Sequence, residues 1–406
     1  MRDQPRRDRM RDENPASGDR RQGAPPALPP MPSSCTRLAM MARLAGRIAL
    51  VLGSVLIVLL ALELTLRAWP TLLGHSFANG ALSRYTSRAG GIYYTDRGLR
   101  MSFMIPNHSA TMFANGYVWR HRTDALGFRN DTLHVPADVM LLGDSVVYGH
   151  GVDFEHTLGH YLERRSGLRV VNLGRQGDCA FQEAYLLTAY LPVFKPRVVV
   201  HVFSPNDIDD LHTLLSDTAM RAFIAQPVDR ITFPPRTDPA KLLGERERRL
   251  RERSLITRFD EETYVMKALR WIPYGYRQWR AAQAAAGPDV YSAGVSVDPT
   301  SLGWRYTEHA LLYMKHVADR GGARLLTTTV VQGRQRDILR GIASRAGIAF
   351  IDTAPLFAGP SFLPNDGHLS PHGARVMADL IAAELERHRR GAQAIGIAEP
   401  GRFVYW

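Results

Sequence analysis

The sequence predicts an α/β protein, a parallel five-stranded sheet covered by helices on both faces and preceded by one apolar helix. Three observations carry this reading. From Ala137 onward, short apolar runs alternate with stretches of helical spacing. The first of those runs, within "VMLLGDSVVYGHGV" over 139–152, breaks abruptly at Gly143-Asp144-Ser145. Far upstream, "IALVLGSVLIVLLALELTLRAW" begins at Ile48 and holds no charge before Glu63.

Residues 1–45 are rich in Arg and Pro and poor in apolar periodicity over most of their length, so a disordered basic tail is expected. Residues 46–68 follow as a transmembrane anchor. Ile48 to Leu62 is uncharged, and the span to Leu66 reaches about 19 residues, near the length that crosses a bilayer. Arg37, Arg43 and Arg47 precede it, which favours a cytoplasmic N-terminus. No small-residue cleavage site follows, so the expectation is a retained single pass in the inner membrane with everything after Trp69 in the periplasm.

Residues 70–136 read as a β-rich preface, with strands in "GGIYYTD" and "NGYVWRHRTD" and a tight turn in "TDALGFRND". Residues 137–390 form the main domain. Its expected strands are "DVMLL", "LRVVNL", "RVVVHVF", "ARLLTTTVV" and "IAFIDT". Helices are expected at "EHTLGHYLERR", "AFQEAYLLTAYLPVF", "TEHALLYMKHVADR", "QRDILRGIASRAG" and "PHGARVMADLIAAELERH". Apolar strands alternating with amphipathic helices imply a parallel sheet buried on both faces. Residues 211–300 interrupt the alternation as an insertion, a lid or partner surface, with one charged helix at "KLLGERERRLRERSLITRF". Residues 391–406 are a C-terminal tail.

Composition narrows the function classes. A net charge of +12 on 406 residues suits anionic lipid or polysaccharide as well as nucleic acid, but no zinc-finger, basic-zipper or RNA-binding signature accompanies it. Nucleic acid is therefore not expected as a partner. The two cysteines, Cys35 and Cys179, match no metal spacing and fall on opposite sides of the expected membrane, so they do not pair.

A serine at a strand-to-helix turn points to nucleophilic chemistry. A hydroxyl needs a base within hydrogen-bond reach, a group orienting that base, and donors for the oxyanion. Each occurs after an expected strand: "NLGRQGD" over 172–178, "SPND" over 204–207, and "NDGHLSPHG" over 365–373. Ligands of parallel sheets bind outside the carboxyl ends of the strands, where all four segments fall. His201, inside an apolar strand, reads as a core histidine, and His372 as a first-turn residue of the last helix. Asp144 reads as a turn-fixing carboxylate. Asp207, Asp209 and Asp210 lack the His or Cys spacing of a metal site.

These segments resemble the blocks of the SGNH/GDSL hydrolase family, serine esterases and acyl-transferring relatives. The resemblance covers about 137–388 and implies a flavodoxin-like three-layer α/β/α sandwich. It implies Ser145 as nucleophile, His368 as base, and the Ser145 N–H, Gly177 N–H and Asn206 amide as oxyanion donors. It implies no metal or organic cofactor. One departure stands out. The family's acid lies three residues before the histidine, where this chain has Asn365, and the carboxylate Asp366 lies two before. That shorter spacing and the "ALGFRN" turn resemble membrane-anchored bacterial members. The expected activity is hydrolysis of an extracytoplasmic acyl or acetyl ester, its substrate an acylated glycan or lipid. The alternatives are polysaccharide O-acetyl transfer or deacetylation, and a non-catalytic envelope scaffold. Oligomeric state is not legible.

Overall fold

The computed structural model describes residues 34–204, 206–284, 297–364 and 366–394. It divides at Leu60/Ala61 into two compact units. Helix α1 (Ser34–Ala68) supplies all the described structure of the first unit and ends in the second. Over Leu38–Ala68 it is long and apolar enough to cross a membrane, and side chains such as Leu50 and Leu56 are exposed.

The second unit continues with α2 (Gly74–Leu82) and two antiparallel hairpins, β1 (Tyr93–Asp96) with β2 (Met101–Met104), and β3 (Ser109–Ala114) with β4 (Tyr117–Arg122). The β3–β4 loop is Asn115-Gly116, both at positive φ (49° and 92°), the pairing that two-residue hairpin turns demand. The sheet domain then runs β5 (Val139–Gly143), α3 (Ser145–Tyr148), α4 (Leu158–Ser166), β6 (Val170–Asn172), α5 (Ala180–Phe194) and β7 (Val198–Phe203). Five helices follow: α6 (Asp207–Leu214), α7 (Asp217–Ile224), α8 (Pro239–Arg251), α9 (Leu255–Glu262) and α10 (Tyr264–Ala284). The chain closes with α11 (Leu302–Arg320), β8 (Arg324–Thr329), α12 (Gly333–Ala346), β9 (Ala349–Phe350) and α13 (Pro371–Ala394).

The five strands pair in parallel in the order β6-β5-β7-β8-β9. Alternation along the strands sends Val139 and Leu141 to one face, with α4 and α13, and Met140 and Leu142 to the other, with α5, α11 and α12. Burying Met377 and Ile381 of α13 completely is worth about 2 kcal/mol each. This is the expected three-layer α/β/α sandwich. Its connection reverses direction between β5 and β7, so the crevice beyond their carboxyl ends is the switch point where ligands bind.

Helix α5 has the bounds expected from sequence, whereas other elements differ for identifiable reasons. Strand β9 is two residues rather than six: after one more backbone bond, Ile351 N–H to Thr327 O at 2.9 Å, side chains take over, with Thr328 Oγ1 donating to Ile351 O at 2.9 Å and Thr353 Oγ1 to Thr329 O at 2.6 Å. The single helix expected over 241–259 is two, α8 and α9. Ser254 is extended there and its Oγ accepts the Thr257 N–H at 3.1 Å, starting a new helix. The preface opens with α2, a helix its composition did not announce.

The "ALGFRN" turn ties the preface to the sheet. Asn130 bonds both backbone groups of Asn172, at 2.8 Å and 3.1 Å, and so pairs the free edge of β6. The fully buried Arg129 guanidinium donates to the carbonyls of Tyr148 (3.1 Å), Gly149 (2.6 Å), Val152 (3.0 Å) and Arg120 (3.2 Å). Removing it leaves several buried carbonyls without donors. Arg129→Met is therefore expected to lower the apparent Tm of the full chain in detergent by at least about 5 °C. An unchanged Tm would mean that water or another side chain serves these carbonyls.

Candidate active site

The turn after β5 is built for close approach. A Cβ on Gly143 would lie 2.5 Å from Val147 Cγ2 and 2.9 Å from Val202 O. The buried Asp144 carboxylate caps α3, accepting the Val146 N–H at 2.9 Å. It also accepts the Ser204 hydroxyl hydrogen at 2.6 Å, and its other oxygen lies 2.9 Å from Ser145 Oγ. Asp144 thus has the turn-fixing place its position suggested, and Ser204 links the β5 and β7 ends. Gly174 lets β6's exit pass α3, since a Cβ there would meet Tyr148 N at 2.4 Å.

Ser145, His368 and Asp366 come together across 223 residues of chain. Ser145 Oγ lies 2.8 Å from His368 Nε2, and His368 Nδ1 bonds Asp366 Oδ1. The carboxylate at Nδ1 places a hydrogen there and leaves Nε2 to accept from the serine. Asn365 lies outside the described residues. Gly367, at φ 81°, sits between Asp366 and His368.

The fully buried Asp366 carboxylate has more partners than the sequence showed. Burial alone would raise its pKa, but the hydrogen bonds and charges of its neighbours outweigh that and hold it below the usual carboxylate range. Those neighbours are His368, His150 and Asn115. Asn115 Nδ2 donates to Asp366 Oδ2 at 2.8 Å. Asn115 is held in turn by Asn79 of α2, whose Oδ1 accepts its N–H at 2.8 Å and whose amide donates to its Oδ1 at 2.5 Å. His150 stacks on His368 with ring centres 4.0 Å apart and planes 21° from parallel, and its Nε2 lies 3.7 Å from Asp366 Oδ2. The Gln176 amide (2.9 Å) and the Tyr85 hydroxyl (3.3 Å) both reach His150 Nδ1, so the ring proton belongs on Nε2, toward the acid. Burial and the neighbouring His368 push the pKa of His150 down to about 3. Its ring stays neutral at working pH.

Sequence reasoning missed Asn115, Asn79 and His150. Asn-Gly is legible as a hairpin turn, but its side-chain partner lies 251 residues on, and "YGHGV" offers no periodic signal for a supporting histidine.

The expected oxyanion donors are placed unevenly. Ser145 and Asn206 line one cavity of about 610 Å³ with Val146, Val330, Val331, Phe357, Phe362 and His368. The Asn206 amide donates to Asp210 Oδ2 at 2.6 Å, and Gly177, exposed at φ 69°, lies beside that same carboxylate. Of the described residues between 211 and 300, none lines this cavity. His201 is a core histidine, between Glu183 (2.9 Å) and Thr327 (2.8 Å), and His372 lies in the first turn of α13. Glu183, His201 and Asp207 lie within a cation's reach of one another, as do His150, Asp366 and His368. In both groups the histidines and carboxylates already bond one another or lie in close contact.

No family model matches the chain, and no curated protein matches it. It is similar to several solved structures. TesA is 14% identical, with 62% of this chain and 98% of that one covered and a TM-score of 0.35. The lipase/acylhydrolase from Enterococcus faecalis is 15% identical, with 62% and 96% covered and a TM-score of 0.34. A GDSL-like lipase from Bacteroides thetaiotaomicron VPI-5482 is 13% identical, with 62% and 89% covered and a TM-score of 0.32.

Two outcomes follow from the acid's surroundings. Asn115→Ala should lower kcat on an activated ester about tenfold, and Asn115→Asp by more, because it sets a second carboxylate against Asp366. Equal activity in all three would detach the hairpin from the site. The second concerns acid stability. His121, on β4, is held by burial at a pKa of about 3, like His150. Below pH 6.5 the unfolded chain protonates these rings while the native state does not. Stability should therefore fall as pH drops from 6.5 toward 3, by up to about 1.4 kcal/mol per pH unit for each ring. His121→Gln should flatten the fall in Tm between pH 6.5 and 4.5. An unchanged slope would show that the native ring takes up the proton.

Proposed function

We propose that the chain is a serine hydrolase of acyl or acetyl esters, with Ser145 as nucleophile, His368 as general base and Asp366 as the acid that orients and charge-balances it. The observation that carries this reading is the Ser145 Oγ–His368 Nε2 contact of 2.8 Å at the switch point, backed by the His368–Asp366 bond.

The chemistry balances in two half-reactions. Ser145 Oγ attacks the ester carbonyl carbon as His368 Nε2 takes its proton. The tetrahedral oxyanion accepts from the Ser145 N–H, the Gly177 N–H and the Asn206 amide, each worth about 3–4 kcal/mol when in line. His368 then protonates the leaving alkoxide, and the alcohol departs from an acyl-serine. Water enters, loses a proton to His368 and attacks the acyl carbon. The carboxylic acid leaves as Ser145 Oγ regains a proton.

Val330, Val331, Phe357 and Phe362 offer the acyl side an apolar wall. The uncharged run of α1 and the arginines that precede that run, Arg37, Arg43 and Arg47, support an inner-membrane anchor with this site in the periplasm, facing acylated glycan or lipid. Transfer of the acyl group to a glycan hydroxyl uses the same acyl-serine, with the hydroxyl replacing water. A scaffold role has no use for a base, its acid and a nucleophile in register. Added alcohol acceptors partition the acyl group between ester and acid, and that ratio separates transfer from hydrolysis.

Ser145→Ala should abolish cleavage of p-nitrophenyl acetate and labelling by a fluorophosphonate, since loss of a nucleophile costs several orders of magnitude. Asp366→Asn should lower kcat at least about a hundredfold. Near-wild-type turnover in the alanine variant would overturn the assignment. Near-full activity in the asparagine variant would reduce the site to a Ser–His dyad.

A further inference from the structure

The insertion carries an apolar surface that the proposed ester chemistry does not use. On α9, Leu255 and Ile256 are 82% and 81% exposed, and Phe259, one turn on, also points to solvent. The three share one helical face. On α10, Leu269 and Ile272 share a face and are each 55% exposed. Trp69 and Leu72, just after α1, are exposed as well. Solvated helices rarely place this many large apolar side chains outward.

Their position relative to the end of α1 says what covers them. Leu66 is buried against Phe77 and Ala81 of α2 and Ala268 of α10. Glu63 Oε2 accepts the Val265 N–H at 2.9 Å, and Arg67 donates to Glu262 O at 3.1 Å while lying over the Tyr264 ring. The junction of α9 and α10 is thereby bonded to the helix within about a turn of Leu62, the last residue of its uncharged run. Where that helix leaves a bilayer, these residues stand at the headgroup layer. Chain chemistry suits that layer. Residues 241–277 hold ten Lys and Arg against six Asp and Glu, and Trp69 marks the boundary where aromatic residues gather.

We propose that α9 and α10 lie on the membrane surface, with Leu255, Ile256, Phe259, Leu269 and Ile272 inserted at the boundary of headgroups and acyl chains and the surrounding basic residues facing anionic lipid. This rests on α1 being a membrane anchor. The partner is the bilayer itself, and the insertion is a second, peripheral contact that sets how the hydrolase domain stands on it.

The test uses the full chain with Cys35→Ser, reconstituted in phosphatidylcholine/phosphatidylglycerol vesicles. An environment-sensitive fluorophore is attached at Ile256→Cys, Ile272→Cys, Ile57→Cys in α1, or Val193→Cys near the end of α5. Spin-labelled lipids with the nitroxide high or low on the acyl chain act as quenchers. Labels at 256 and 272 should be quenched at least about twofold more by the shallow nitroxide than by the deep one, the label at 57 by the deep one, and the label at 193 by neither. A label at 256 or 272 that behaves like that at 193, while 57 is quenched, overturns the surface placement and leaves the anchor standing. An unquenched label at 57 removes the anchor and this inference with it.

Discussion

A buried carboxylate is the constraint around which this molecule is arranged. Asp366 is almost wholly withdrawn from water, and an unpaired charge there would cost several kcal/mol. Three distant segments meet the cost together. The final loop brings His368, the hairpin turn brings Asn115, and the loop after α3 brings His150. A relay of neutral amides from Asn79 through Asn115 fixes which atom of each group faces the acid. The carboxylate is thus kept ionised by parts of the chain far from Ser145 in sequence, and under the proposed mechanism that ionisation would let His368 carry a transient positive charge.

The same logic explains why the preface and the sheet cohere. A parallel sheet with helices on both faces still has an open edge at β6 and a loop after α3 held only by its own turns. Arg129 and Asn130, adjacent in sequence, close both. One gathers the carbonyls of the 148–152 loop, the other completes the ladder of Asn172. Because Arg129 fixes the loop that carries His150, and the hairpin carries Asn115, the preface bears twice on the cluster of Ser145, His368 and Asp366.

What was legible in the sequence follows from the range of each signal. Period-2 and period-3.6 patterning is local, so the five strands and the bounds of α5 could be read directly. Gly-Asp-Ser and Asn206 were legible as short motifs at the ends of β5 and β7, and Asp366-Gly-His368 as a short motif ahead of α13, in a loop well past the end of β9. The split of the charged helix at Ser254 and the shortening of β9 turn on single side-chain bonds that compete with backbone pairing, and residue pattern alone does not weigh such competition. The supporting network was hidden for a different reason. Asn115 is fully explained at the local level by its positive φ, so nothing in the sequence asks for a second role.

The short spacing of acid and base has a geometric resolution. Chain between Leu363 and His368 folds back on itself: Leu363 O accepts the N–H groups of Asp366 (3.1 Å) and Gly367 (3.3 Å), and Leu363 N donates to His368 O at 2.7 Å. Phe362 and Leu369 pair across the neck of this loop. Gly367 at φ 81° takes a conformation that costs a side-chain-bearing residue energy, and through it the Asp366 carboxylate turns back onto the ring two residues on. The loop is then held from outside by the Tyr117 hydroxyl, which donates to Pro364 O at 2.9 Å. A spacing of two residues therefore needs both an internal glycine and an external brace, and the brace comes from the strand that follows Asn115. Asp366, His368 and the hairpin form one mechanical unit, and the hydroxyl of Ser145, set between Asp144 and His368, is the point where that unit meets the sheet.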